Sequence, residues 1–151
     1  MKDKPAFTKD ILKIADVEAI AKGIIEKLRQ DVHSRLQRNG GVVGISGGVD
    51  SSVTYALAIK AFGPENVLGI KLPEQDSSPE SLRLADELVD QFGGQSVVED
   101  ITGALKGFGC YQRRDEAVSR VFPEYDPQVH RFKIGIRQSS IRQNLPPVFS
   151  A

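Results

Sequence analysis

Val43-Gly44-Ile45-Ser46-Gly47-Gly48-Val49-Asp50-Ser51-Ser52 runs from a short apolar stretch, through a glycine pair flanked by serines, into a helical pattern. Val42-Val43-Gly44-Ile45 reads as a buried strand, because a continuous apolar run bounded by glycines suits a parallel sheet covered on both faces. From about Asp50 to Phe62 the pattern is helical, with Val53, Ala56, Leu57 and Ala61 expected inward and Gly63-Pro64 as the stop. A helix N-terminus offers unpaired N–H groups and a partial positive charge, and glycines let the backbone approach a ligand closely. Serine hydroxyls add short donors, so the loop forms an anion site without a cationic side chain. Asp50 would repel an anion there unless a cation lay between them, and magnesium held by a carboxylate and phosphate oxygens resolves the conflict. The motif therefore implies a magnesium-bound polyphosphate. It is not a Walker A loop, which needs Gly-Lys-Ser/Thr, and it lacks the Gly-x-Gly-x-x-Gly dinucleotide fingerprint.

Outward from this loop, the pattern repeats. Upstream, Val17, Ile20, Ile24, Leu28, Val32 and Leu36 recur at helical spacing, with Asp16 as the N-cap and Asn39-Gly40 as the end. Downstream, Val67 to Leu72 reads as a strand, followed by the polar loop Pro73-Glu74-Gln75-Asp76-Ser77. Ser78 is an expected N-cap with Pro79 at the first helical position. Leu82, Ala85, Leu88, Val89 and Phe92 form that helix's stripe, Gly93-Gly94 closes it, and Ser96-Val97-Val98 is a third strand. Strands alternating with helices predict an α/β fold with a parallel sheet and right-handed crossovers. The expected organisation is one domain: a helical segment over 1–38, a nucleotide-binding core over 41–103 and a weakly patterned segment over 104–151. In that last segment Tyr111 to Phe122 reads as helix and Phe132 to Ile136 as strand, and Pro146-Pro147 excludes regular structure.

The bulk properties narrow the function classes. Twenty basic and twenty acidic side chains cancel in 151 residues, so nothing biases the chain toward nucleic acid or membrane. From Gln128 onward there are Arg131, Lys133, Arg137 and Arg142 and no acid, which reads as a solvated tail or as a phosphate- or partner-binding edge. The single cysteine, Cys110, excludes an internal disulfide framework and a multi-cysteine metal site. No apolar run approaches the roughly 20 residues that span a bilayer, and Met1 to Pro5 lacks the apolar stretch of a signal peptide. The expected compartment is cytoplasmic. His33 and His130 have no metal partner at useful spacing and read as solvated. Glu74 and Asp76 follow the second strand where a metal could be assisted, but a plain polar loop explains them equally. Arg113 to Glu116 reads as a solvated helix face.

The string from Val43 to Ser52 resembles the signature loop of the ATP pyrophosphatases of adenine nucleotide alpha hydrolase-like fold, a Rossmann-like three-layer sandwich with a parallel sheet. Within that group the sequence is most similar to the NAD synthetases, through Val67 to Glu74, Ser77 to Ser81 with Asp86-Glu87-Leu88, and Asp100-Ile101-Thr102. The resemblance covers roughly Ala15 to Gly103. It implies that the loop Ser46, Gly47, Gly48, Val49, Asp50, Ser51 and Ser52 holds the phosphates of ATP. It also implies that Ser46, Asp50 and Ser51 act at the reacting phosphates, that Asp50 binds Mg²⁺, and that Ile45 and Leu72 frame the adenine. The implied reaction is a ligation. A carboxylate, that of deamido-NAD, is adenylated with release of pyrophosphate, and ammonia then displaces AMP. The resemblance further implies a homodimer or a complementing partner chain, since NAD synthetases continue well beyond this chain's last residue. Ile136 to Arg142 does not reproduce the spacing of their arginine-rich helix. Two other readings stand beside this one. The chain is a tRNA thiolase-like ATP pyrophosphatase with Cys110 as nucleophile, or it is a non-enzymatic ATP-binding or interaction module.

Overall fold

The structure is a computed structural model and describes residues 13–130 together with the short strands Gly135–Ile136 and Phe149–Ser150. The chain divides into two compact units, Met1–Ile101 and Thr102–Ala151.

The first unit is the α/β fold that the alternating pattern predicts. Three parallel strands, β1 (Gly41–Gly44), β2 (Val67–Lys71) and β3 (Gln95–Val98), lie in the order β1-β2-β3, with Val42 opposite Leu68 and Ile70 opposite Val97. The ladders continue past the strand ends through Ile45 N–H to Ile70 C=O (2.9 Å) and Glu99 N–H to Lys71 C=O (2.9 Å). Crossover helices α2 (Val49–Phe62) and α3 (Pro79–Phe92) join the strands, and α1 (Val17–Arg29) packs against α2.

Local chemistry sets the helix ends. Asp16 accepts the Ala19 N–H at 2.8 Å, and Ser78 accepts the Glu80 N–H at 3.2 Å ahead of Pro79. Gly93 ends α3 in the left-handed conformation, φ +70°, donating to Val89 C=O.

The core lies between one face of the sheet and the two crossover helices. Ile45, Tyr55, Ala58, Ile59, Val67, Ala85 and Val89 are buried, with Val43, Phe62, Leu88 and Phe92 packed against them. Burial of side chains the size of Tyr55 or Ile59 contributes on the order of 2 kcal/mol each. The Tyr55 hydroxyl has no hydrogen-bond partner among the described residues, and burial pushes its phenol above the ordinary tyrosine range. Alternation places Val42, Leu68, Ile70 and Val97 on the other face, where Val42 is 66% and Val97 44% exposed. Cover on both faces, expected for these strands, is therefore not complete in this unit.

Three other expectations are corrected. The inward residues of α2 are Tyr55, Ala58, Ile59 and Ala61, while Val53 is exposed and Ala56 and Leu57 are half-buried. This helix is apolar nearly all round, so no stripe in its sequence marks the packed side. The first helix does not continue as one α-helix to Asn39-Gly40. After Arg29 it widens into a π-helical turn over Gln30–Arg35, with Leu36 N–H bonded to Asp31 C=O, and the chain reverses at Gln37, φ +52°. Nor does its apolar stripe form the packed face. Val17, Ile20, Ile24 and Leu36 are exposed, whereas Ala21, Ile25, Leu28 and Val32 are partly buried. Arg29 orients this contact by donating to the Ala61 and Lys60 carbonyls at the end of α2, both at 2.8 Å. His33 is exposed, as expected, and it also sets its ring edge-on to Phe62 and places Nδ1 2.8 Å from Arg38 C=O.

The second unit contains α4 (Thr102–Gly107), which the sequence reading missed, α5 (Cys110–Val121), close to the expected Tyr111 to Phe122, and an antiparallel pair, β4 (Gly135–Ile136) with β5 (Phe149–Ser150). Arg114 and Asp115 are not a plain solvated face. Arg114 lies over the Tyr111 ring and bonds Asp115, which also accepts the Tyr125 hydroxyl at 3.1 Å. The rest of the expected strand from Phe132, Pro146-Pro147 and most of the basic tail lie outside the described residues. Among the described residues no helix is long and apolar enough to cross a membrane.

Candidate functional site

The loop between β1 and α2 is a closed hydrogen-bonded turn. Ser46 N–H donates to Ser51 Oγ at 3.2 Å, and Gly48 N–H donates to Ser46 Oγ at 3.3 Å. The Ser51 and Ser52 hydroxyls both donate to Gly48 C=O, at 3.0 and 2.8 Å. A hydroxyl has one proton, so in the 3.1 Å contact between Ser46 Oγ and Ser51 Oγ the donor is Ser46. The serines thus brace the loop through their hydroxyl protons.

The donors that face outward are amides. Gly48 is the N-cap of α2 and has no side chain to cap with, and Ser52 N–H already bonds Gly48 C=O at 3.1 Å. The N–H groups of Val49, Asp50 and Ser51 remain as the open first turn of a fourteen-residue helix. That is the arrangement which binds phosphate through backbone alone. The Val49 side chain is 74% exposed, so its backbone is what it contributes.

Gly47 is required by its position. Its φ is +77°, and a Cβ there would lie 2.5 Å from the carbonyl oxygen and 2.9 Å from the Cα of Ser81 in the first turn of α3. The loop is thereby seated against the neighbouring helix.

Beside the loop, at the carboxyl ends of β1 and β2, opens a cavity of about 150 Å³. Ile45 and Ser46 line it from one side, Lys71 and Leu72 from the second, and Ser78 and Ser81 from the third. Ile45 is 4% exposed, so the wall it presents is fixed by the core, while Leu72 is half open. Small-molecule sites usually enclose about 300–1,000 Å³, so this cavity has room for only part of such a ligand. The expected residues Ile45, Ser46 and Leu72 converge here, next to Gly47, Gly48, Ser51 and Ser52.

Lys71, Ser78 and Ser81 were not singled out for the site by sequence. Lys71 is a lone charge inside an apolar strand, which was a usable signal. Ser78 read only as a cap, and that role is real.

Asp50 stands exposed in the first turn of α2, its carbonyl accepting the Thr54 hydroxyl at 2.9 Å. One carboxylate beside backbone donors fits Mg²⁺ shared with substrate phosphates, and no cluster of three or more His, Cys, Asp or Glu ligands exists among the described residues. Glu74 and Ser77 close the following loop on themselves, with Glu74 N–H donating to Ser77 Oγ and Ser77 N–H to Glu74 C=O, both at 2.9 Å. On the first turn of α3, Arg83 holds the Glu80 carboxyl below the usual carboxylate range. Cys110 is a free thiol at the start of α5, in the second unit.

Comparison with known proteins identifies the family. A family model for NAD synthase matches residues 20–123. The chain is similar to the NH₃-dependent NAD⁺ synthetase of Rhizobium meliloti (strain 1021), at 48% identity over 121 residues, 80% of this chain and 36% of that protein. The counterpart in Methanopyrus kandleri is 39% identical over 99 residues. Among solved structures, the NH₃-dependent NAD synthetase of Campylobacter jejuni superposes with a TM-score of 0.57 at 28% identity, over 62% of this chain and 40% of that one. The glutamine-dependent NAD⁺ synthetase of Acinetobacter baumannii, solved with ADP, gives 0.56 at 26% identity over 71% of this chain and 19% of that one. The chain thus spans about 36% of the length of its curated relatives from Rhizobium. Its loop, its parallel sheet and a match over most of its length place it, as an adenine nucleotide alpha hydrolase-like fold, in the NAD synthase family.

Proposed function

We propose that this chain supplies the ATP-binding part of an ammonia-dependent NAD synthetase. The observation that carries the reading is the loop itself: open amides at the start of α2, backed by Gly47 and set beside a cavity of about 150 Å³. In this reading Ile45 and Leu72 frame the adenine. The amides from Val49 to Ser51 hold the phosphates, and Ser46, Ser51 and Ser52 keep the loop in shape for them. Asp50 holds Mg²⁺, which when bound offsets the phosphate charge next to that carboxylate.

The chemistry then follows from position and charge. A carboxylate oxygen of deamido-NAD attacks the α-phosphorus of ATP, and the bond to the bridging oxygen breaks as pyrophosphate leaves. The loop amides stabilise the charge on that leaving group. Ammonia attacks the acyl carbon, loses a proton, and AMP departs with the bonding pair. The protein's contribution is orientation and electrostatics, with no covalent enzyme intermediate. Sulfur transfer through Cys110 receives no support from the relatives, whose names describe amidation to NAD⁺.

The site as built here is a part. The cavity is small, and one face of the sheet leaves Val42 and Val97 open. β1 is an edge strand of its three-stranded sheet. Such an edge and such a patch favour association. The portion corresponding to the remaining length of the relatives, in a longer polypeptide, a second copy or a separate chain, completes the enzyme, and the unpaired thiol fits a cytoplasmic setting. The test is pyrophosphate release from ATP with deamido-NAD and ammonia, measured with the complementing portion present. Formation of pyrophosphate, AMP and NAD⁺ in equal amounts is expected. No pyrophosphate from the complemented, folded protein would contradict the proposal.

A further inference from the structure

We infer that Lys71 is a positioning residue for the phosphate loop, acting through Asp86 and α3. The inference rests on the nucleotide-site reading for its functional consequence, but its structural half stands alone. Lys71 is the last residue of β2 and is 5% exposed. A buried ammonium is costly unless paired. Its partner is Asp86 on α3, whose own side chain is 53% exposed. Five residues earlier on the same helix is Ser81, whose backbone abuts Gly47 so closely that no Cβ fits between them.

One rigid element therefore touches β2 through an ion pair and the phosphate loop through backbone. The other core contacts of α3, Ala85 and Val89 with Leu88 and Phe92 beside them, are apolar. Apolar contact is non-directional and permits a small roll of the helix, whereas a charge-assisted hydrogen bond fixes direction. The Lys71–Asp86 pair sets the roll of α3, and with it the seat of Gly47 and the cavity wall at Ser78 and Ser81. Lys71 also lines the cavity, so a direct contact with ligand phosphate is the rival to be excluded.

The test compares the parent chain with Asp86→Asn and Lys71→Met in two measurements. Amide hydrogen exchange on the free protein should quicken about tenfold over Ser46 to Ser52 in both variants, as expected for loss of a charge-assisted bond, with exchange around Tyr55 to Ile59 unchanged. Mg-ATP affinity should fall about tenfold in both. Unchanged loop exchange, or exchange that quickens equally throughout the unit, overturns the inference whether or not nucleotide binds. Loss of Mg-ATP affinity in Lys71→Met with full affinity in Asp86→Asn overturns it too, since the lysine then touches phosphate directly. Quickened loop exchange in a family of proteins that bind no Mg-ATP, the parent included, upholds the positioning and defeats the proposed function. Asp86→Asn changes a half-exposed carboxylate and keeps the test open if Lys71→Met does not fold.

Discussion

The hydroxyl of Tyr55 fills the space that a side chain would need at Gly94: a Cβ on that glycine would overlap the phenol oxygen, with Ile59 Cδ1 also 2.9 Å away. The start of β3 is thus packed onto a tyrosine that is fully buried and whose hydroxyl finds no partner among the described residues. Gly94→Ala should destabilise the fold by about 2 kcal/mol or more, through overpacking. Tyr55→Phe removes an unsatisfied buried hydroxyl and should be neutral or stabilise by about 1 kcal/mol. Urea unfolding of the two single variants and the double variant checks this. The double variant should recover part of the loss, because the two residues share one volume.

Gly47 and Gly48 look equivalent in the sequence and differ in the structure. Gly47→Ala meets the Ser81 backbone at positive φ, so it should lower the melting temperature and disturb the loop. Gly48→Ala meets only Ser46 Oγ at 3.3 Å, at φ −88°, and should leave the melting temperature within a few degrees. Thermal unfolding of both variants separates the two positions. For a binding test Gly48 is the informative glycine, since a methyl there meets no atom of α3.

Asp50→Asn tests the metal role by sign. Without Mg²⁺ the parent carboxylate repels phosphate, so metal-free ATP should bind the variant more tightly than the parent. With Mg²⁺ the order reverses, by about tenfold. Titrations with and without EDTA read both arms. The same order under both conditions would remove the metal from Asp50.

Acid should weaken the start of α3 in a defined window. Glu80 has its carboxyl held below the ordinary value of 4.5, first by its hydrogen bond from Arg83. A lowered folded value means that this contribution is fully present above pH 4.5 and is lost as pH falls through the lower folded value. Both groups are exposed, so the effect is small. The difference in melting temperature between the parent and Glu80→Gln should be positive at pH 6 and shrink progressively as the pH falls below 4.5.

What the sequence revealed of this fold was what local chemistry fixes. The caps at Asp16, Ser78 and Gly93, the alternation of strands with helices and the loop from Ser46 to Ser52 all follow from short-range hydrogen bonding and backbone preference. The packed face of α2 did not, because Val53, Leu57, Ile59 and Ala61 are all apolar and only the tertiary partner selects among them. Of the stripe on α1 only Leu28 and Val32 reach the partly buried side, since Arg29 and the end of α2 decide the rotation of the helix. The seat of Gly47 on Ser81 joins residues far apart in sequence and was illegible for that reason. It alters the choice of test, because a Gly47 variant disturbs architecture and binding together.

The central claim is that the loop is a working phosphate site, and calorimetric titration of Mg-ATP into the parent chain and into Gly48→Ala tests it most directly. The account predicts saturable binding by the parent and a loss of about tenfold or more in the variant, both proteins unfolding at similar temperatures. Equal binding by the two, or no binding by a folded parent, would contradict it.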